Sequence, residues 1–363
     1  MSELTLREHG LRVGHLEAGA ANAITDVAGV RVGHVTVVRD EPEPPVGRGL
    51  ARTGVTAILP GTGDSVYRRS VPAGATALNG AGELTGYLQI SEWGLIETPI
   101  FLTSTMAVGR VFDGAVSHAC ETDSAIGTDE VVIPVVGECD DSWLNDARTV
   151  QVEADDAGRA VRAALSGPVG QGCVGAGTGM IALGWKGGIG SSSRLVPAVD
   201  STVGVLVLAN FGSAQDLRID GVPMFPTVGD GIDPRPPAGS CIAVVATDAP
   251  LQAPQLERLA RRAGLGLART GSVAHHGSGE IFVAFSTATS ERGSEASPIR
   301  VDRVTVPDTH LDPLFAAVVE ATEEAVLNAL WAAVDTDGRS GRIVRALPHE
   351  PVLELLRTHD RLR

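Results

Sequence analysis

The run Gly229-Asp230-Gly231-Ile232-Asp233-Pro234-Arg235-Pro236-Pro237-Ala238-Gly239 passes through Ser240 into Cys241-Ile242-Ala243-Val244-Val245-Ala246-Thr247. Its three prolines and three glycines within 11 residues exclude a helix or a central strand, because proline lacks an amide donor and clashes with helical backbone. The apolar run after it reads as a buried strand. Ser240 therefore stands where a solvated loop meets a rigid element, with its hydroxyl held on one side and slack chain on the other. A serine so placed can attack the carbonyl before it when the preceding residue is small and the peptide bond can be strained. Gly239 meets that need. By itself the dipeptide reads first as a plain turn, since Gly-Ser pairs are common in loops.

Outward from this point, short β-rich runs alternate with helical patterns. Strands are expected at residues 30–35, 54–59, 131–136, 203–208, 241–247, 281–285 and 300–306. Helices are expected over 106–119, 152–165, 251–263 and 311–334. In the last, Leu311, Leu314, Phe315, Val318, Ala325, Leu327 and Leu330 make a broad apolar face, with Glu320, Glu323 and Glu324 largely opposite. Mixed order of strands and helices implies a layered α/β or α+β fold. No repeat and no interdomain linker interrupts residues 1–363, which are expected to form a single domain.

Composition narrows the function classes. At 43% hydrophobic and 20% charged residues, the 363-residue chain can bury a large core. A net charge of −15 argues against nucleic acid, because phosphate binding wants clustered Lys and Arg. Cys120, Cys139, Cys173 and Cys241 form no C-x-x-C pair and lie beside no histidine at zinc-ligand spacing, so buried reduced thiols are expected and no metal or cofactor. Residues 1–19 lack a signal-peptide core, and no stretch approaches 18 apolar residues. A cytoplasmic protein with no membrane partner is the expectation.

Two further segments carry chemistry. In Gly277-Ser278-Gly279-Glu280-Ile281, an extended strand would point Ser278 and Glu280 to one face, where together they can polarise a hydroxyl or hold an ammonium. A capped strand end with a solvated glutamate fits the same residues equally well. The Gly-rich pair Gly175-Ala176-Gly177-Thr178-Gly179 and Lys186-Gly187-Gly188-Ile189-Gly190-Ser191-Ser192-Ser193 has neither Walker order nor G-x-G-x-x-G spacing. Tight turns lining a pocket are expected there, with Lys186 in a structural ion pair.

Together these segments resemble the family of L-aminopeptidase/D-esterases that includes the β-peptidyl aminopeptidases. The similar stretches are residues 22–34, Leu78-Asn79-Gly80-Ala81-Gly82-Glu83-Leu84-Thr85-Gly86, 177–180, 186–190, 202–210, 239–250 and Ala268-Arg269-Thr270-Gly271-Ser272. They run in order along nearly the whole chain. The resemblance implies an α+β, four-layer αββα sandwich related in architecture to N-terminal-nucleophile hydrolases but differently connected. It implies self-cleavage between Gly239 and Ser240 into chains 1–239 and 240–363, with Ser240 then the nucleophile. Ser278 and Glu280 would orient and activate it, Asn210 would donate to the oxyanion, and Glu138 would meet the substrate's free amino group. Partners would be small peptides, amides or esters, within a homo-oligomer of αβ units.

This chain departs from the family at Cys139-Asp140, where a threonine and an aromatic residue are expected after the glutamate. His275 and His276, just before Gly277, have no family counterpart. Two other functions fit less well. An acyltransferase of the ornithine acetyltransferase type shares the architecture and self-cleavage but is expected to use threonine. A non-catalytic small-molecule binding protein of the same fold would have no use for Ser240, Ser278, Glu280 and Asn210 together.

Overall fold

The computed structural model describes residues 5–61, 65–228, 239–288 and 305–362. Ten strands build its two main sheets: β1 (Arg31–Arg39), β2 (Ala51–Leu59), β3 (Val71–Gly80), β4 (Leu95–Ile96), β5 (Ile100–Ser104), β6 (Val135–Cys139), β7 (Gly188–Val196), β8 (Ser201–Asn210), β9 (Gly239–Thr247) and β10 (Ser278–Ser286). Six helices accompany them: α1 (Tyr87–Trp93), α2 (Val108–Thr122), α3 (Asp155–Arg162), α4 (Ala253–Arg269), α5 (Asp312–Trp331) and α6 (His349–Thr358). One sheet has the order β1-β2-β5-β6 and the other β4-β3-β10-β9-β8-β7.

Three apolar clusters explain the layering. Ile58, Leu102, Val135, Leu206, Leu208, Ile242, Val244, Ile281 and Val283 fill the space between the sheets. Alternate residues of the same strands, such as Val205, Val207, Ala243, Val245 and Phe282, turn outward onto α4 and α5. Val55, Ala57 and Val136 face α2 and α3 on the opposite side. A helix–sheet–sheet–helix sandwich follows, the expected four-layer α+β architecture. Among the described residues, no helix is long and apolar enough to cross a membrane.

Four elements differ from the sequence expectation. The glycine- and serine-rich run after Lys186 is not a turn but the nine-residue strand β7. Its side chains are small because α5 lies against it: a Cβ on Gly190 would stand 1.9 Å from the Ala325 carbonyl oxygen, and Ser192 Oγ donates to Ala321 O at 2.6 Å. Residues 175–179 do turn, as a short 3-10 segment, but all five are buried rather than lining an open pocket. Strand β6 begins at Val135, later than the expected 131. Thr305 and Val306 belong to no strand, while residues 300–304 and the loop 229–238 lie outside the described residues.

Helix α5 also departs from a simple amphipathic pattern, since residues 317–331 are all buried. Its glutamates are not solvated. Fully buried Arg194 on β7 donates to Glu320 Oε2 at 3.2 Å and Glu324 Oε2 at 2.6 Å, and Arg7 Nη2 reaches Glu324 at 2.8 Å. Arg269 pairs with Glu323 at 3.2 Å. Burial raises the Glu324 carboxyl, but the two guanidiniums outweigh it and hold the pKa below its ordinary value. Of the four cysteines, all free, Cys139 and Cys241 are buried, Cys173 is half-buried and Cys120 is exposed, which corrects the expectation of four buried thiols.

Candidate active site

Strands β8, β9 and β10 lie side by side, and their ends bring four of the expected site residues together. Asn210 is the antiparallel partner of Ser240, while β10 runs parallel to β9 with Gly239 opposite Ser278, Ser240 opposite Gly279 and Cys241 opposite Glu280. Gly239 has φ +151°, and a Cβ there would stand 1.8 Å from the Asn210 carbonyl oxygen. Only glycine allows the chain to enter the sheet at this point.

Register and alternation sort these side chains by face. Ile242, Val244 and Ala246 of β9, and Ile281, Val283 and Phe285 of β10, face the core between the sheets. Ser240 and Asn210 share that side, and Ser278 and Glu280 take the other. Cys241, opposite Glu280 in the register, has its thiol pKa raised by burial first and by the Glu280 carboxylate second. Ser278 Oγ donates to Glu280 Oε1 in a short hydrogen bond. The pair thus stands on the strand beside Ser240, whose hydroxyl accepts from Gly279 N at 3.3 Å. Burial raises the Glu280 carboxyl pKa, partly opposed by the Ser278 hydroxyl.

Asn210 is held at both ends of its amide. Its Oδ1 accepts from Ile181 N at 2.8 Å, and its Nδ2 donates to Asp140 O at 3.0 Å. An amide nitrogen carries two hydrogens, so one remains for a further acceptor beside Ser240.

Glu138, near the end of β6 on the facing sheet, falls on the same strand face as Val136, and its carboxylate reaches the backbone of residues 82 and 83 at the sheet edge. Its Oε1 accepts from Glu83 N at 2.9 Å and its Oε2 from the Thr105 hydroxyl. Burial raises its pKa, the two hydrogen bonds lower it, and nearby Asp140 and Glu83 raise it again, leaving a net upward shift. A buried carboxylate can pair with an ammonium group. Asp140 itself is exposed and caps Ser142 N at 2.8 Å.

Several contributors carry no distinct signal in the sequence. Thr105 sits in an unremarked turn before α2, and the Glu83 contact is made by backbone. The stretch 78–86 stood out only through family similarity. Next to Asp140, fully buried Asp141 accepts from Ser104 Oγ at 2.8 Å and Asn145 Nδ2 at 3.0 Å, tying the end of β5 to the end of β6. Burial lifts its carboxyl to about 6. The expected ion pair at Lys186 is absent among the described residues. Its buried Nζ instead donates to three carbonyls, Gly177 O at 3.1 Å, Met180 O at 2.8 Å and Gly187 O at 2.9 Å. His275 approaches Asp216 at 3.5 Å, and its carbonyl accepts from Asn79 Nδ2 at 2.8 Å and Ser278 N at 2.8 Å, so it shapes the entry to β10.

A serine near the start of an internal strand of an αββα sandwich matches the architecture of the N-terminal-nucleophile hydrolases. The chain belongs to peptidase family S58, whose model matches residues 22–344. It is 40% identical over 361 residues to the β-peptidyl aminopeptidase BapA of Sphingosinicella microcystinivorans, covering 95% of this chain and 90% of that one. The L-aminopeptidase D-Ala-esterase/amidase of Ochrobactrum anthropi, described as a prototype for the serine aminopeptidases and a variant of the Ntn hydrolase fold, superposes with a TM-score of 0.91 at 38% identity, over 98% of this chain and 99% of that one. A Burkholderia sp. β-aminopeptidase gives 0.89 at 41% identity, over 98% and 99%.

Proposed function

We propose that this aminopeptidase/amidase cleaves its own chain between Gly239 and Ser240 and then uses Ser240 as the nucleophile that releases N-terminal residues from small peptides, amides or esters. The reading is supported by the register that sets Ser240 opposite Asn210 on one side and Gly279 on the other, with Ser278 hydrogen-bonded to Glu280 on the adjoining strand.

In processing, Ser240 Oγ attacks the Gly239 carbonyl, the acyl group passes from nitrogen to oxygen, and water hydrolyses the ester. The Ser240 nitrogen becomes a free α-amino group. Such an amine has a reference pKa of roughly 7.7–8.0, so near neutrality it can accept a proton that a serine hydroxyl cannot shed alone. The Ser278–Glu280 pair, on the strand beside Ser240, is suited to orient that amine. In turnover the amine takes the Oγ proton as Oγ adds to the substrate carbonyl. It then gives the proton to the leaving amine or alcohol. The second Nδ2 hydrogen of Asn210 meets the tetrahedral oxygen, a contact whose loss costs about 10²–10³ in kcat. Water hydrolyses the acyl-Ser240 ester.

Glu138 pairs with the substrate's ammonium, so the reading requires a free N-terminus. Assembly of αβ units into a homo-oligomer and residence in the cytoplasm belong to the same reading and rest on family likeness. Ser240→Ala is expected to abolish hydrolysis of aminoacyl p-nitroanilides; turnover retained by that variant would remove Ser240 from the mechanism.

A further inference from the structure

Both ends of the Asn210 amide are held by main-chain groups, and both of those groups lead back to one buried side chain. Asn210 Nδ2 donates to Asp140 O at 3.0 Å, and Asn210 Oδ1 accepts from Ile181 N at 2.8 Å. The Asp140 carbonyl belongs to the planar peptide that joins residues 140 and 141, so its direction follows the position of Asp141. The Asp141 side chain is fully buried, and its Oδ1 accepts from Ser104 Oγ at 2.8 Å and Asn145 Nδ2 at 3.0 Å. Asn145 is fixed in turn, since its Oδ1 accepts from Arg52 N at 3.1 Å. The second anchor is reached through Gly179. A Cβ on Gly179 would stand 2.8 Å from Asp141 Cβ and 2.2 Å from Arg52 O, so the turn that leads into Ile181 packs bare against Asp141.

We propose that Asp141 is a positioning residue for hydrolysis, and that its anchored carboxylate aims the free Nδ2 hydrogen of Asn210. The inference rests on the reading that Asn210 stabilises the tetrahedral oxygen formed at Ser240. The two hydrogens of an amide nitrogen lie in one plane, so committing one to Asp140 O sets the direction of the other. Hydrogen bonds weaken steeply as they bend, so a shift of the 140–141 peptide misdirects this donor without removing it. The glycine turn against Asp141 passes the same shift to Ile181 N at the other end of the amide. Asp141 acts through Asn210 and not on the substrate, so removing its carboxylate lowers kcat and leaves KM nearly unchanged.

Steady-state kinetics on an aminoacyl p-nitroanilide, expressed per cleaved chain, test the assignment. Asp141→Ala is expected to lower kcat about tenfold with KM within about twofold, a part of the roughly 10²–10³ that losing an oxyanion donor outright costs. Asp141→Asn keeps an oxygen that can accept from Ser104 and Asn145, so it is expected to restore most of that loss. In an Asn210→Ala background, Asp141→Ala should lower kcat by less than about twofold more, because both changes act through one donor. Ser104→Ala takes one donor from the carboxylate and leaves residue 141 in place; its expected cost of about threefold in kcat keeps the test decisive if Asp141→Ala folds poorly. Losses that multiply with Asn210→Ala, a fall in kcat/KM that lies wholly in KM, or unchanged kcat in the folded variants would overturn the positioning role. Wild-type kcat retained by Asn210→Ala alone would instead overturn the parent reading, and the role of Asp141 with it.

Discussion

Replacing Lys186 with methionine, which matches its length without its charge, separates stability from catalysis at a residue remote from substrate. The Lys186 ammonium is fully buried and donates to the carbonyls of Gly177, Met180 and Gly187. Gly177 O and Met180 O also accept from the Met180 and Gly187 amides. Gly187 O would lose its Lys186 donor. Charge-assisted bonds of this kind contribute about 1.5–3 kcal/mol each. Against their loss stands the several kcal/mol regained by no longer burying an ammonium, the same burial that depresses its pKa. A net destabilisation of about 2 kcal/mol is expected, read from urea unfolding. The turn that Lys186 ties down runs into Ile181, whose amide fixes Asn210 Oδ1 at 2.8 Å. Loosening it should lower kcat about tenfold with little change in KM. In an Asn210→Ala background the same substitution should barely lower kcat further, because both changes act through one donor. Stability within about 0.5 kcal/mol of wild type, or kcat losses that multiply in the double variant, would refute this chain of reasoning.

Two other perturbations probe the frame of the site. Asp141 has a folded pKa of about 6 against an ordinary 3.8, so the native state binds its proton more tightly; the group favours folding below about pH 4, and that contribution, about 3 kcal/mol, is lost as the pH rises through 6. Asp141→Asn should therefore flatten the stability profile between those pH values relative to wild type, and parallel urea-midpoint profiles for the two proteins would contradict the assignment. Arg194→Met leaves the buried Glu320 carboxylate on the His15 and Leu16 amides without its guanidinium and leaves Glu324 with Arg7 as its remaining guanidinium partner, so a loss of about 3 kcal/mol is expected in the same assay. An unfolding midpoint equal to wild type would show the network to be dispensable.

Strands with branched apolar residues were legible in the sequence: 203–208, 241–247 and 281–285 fall inside β8, β9 and β10. So was the shared face of Ser278 and Glu280, because strand alternation is local and their hydrogen bond needs nothing else. Strand β7 was not legible. Its Gly-Ser composition reflects the close approach of α5, a tertiary demand that overrides strand propensity. Strand β3 was missed for a related reason, since Pro72, Ala73, Gly74 and Ala75 give no β-branched signal, and α4 packs across it. Glu320, Glu323 and Glu324 read as a polar face because their partners Arg194, Arg7 and Arg269 are far away in sequence. The parallel register of β9 and β10 likewise could not be deduced from spacing, yet it sets Ser240 opposite Gly279, between Ser278 and Glu280.

Intact-mass analysis of the purified wild-type protein under denaturing conditions tests the central claim most directly. Two chains are expected, one ending at Gly239 and one beginning with an unblocked Ser240, with Ser240→Ala remaining whole. A single uncut wild-type chain that nevertheless hydrolyses aminoacyl anilides would contradict the account.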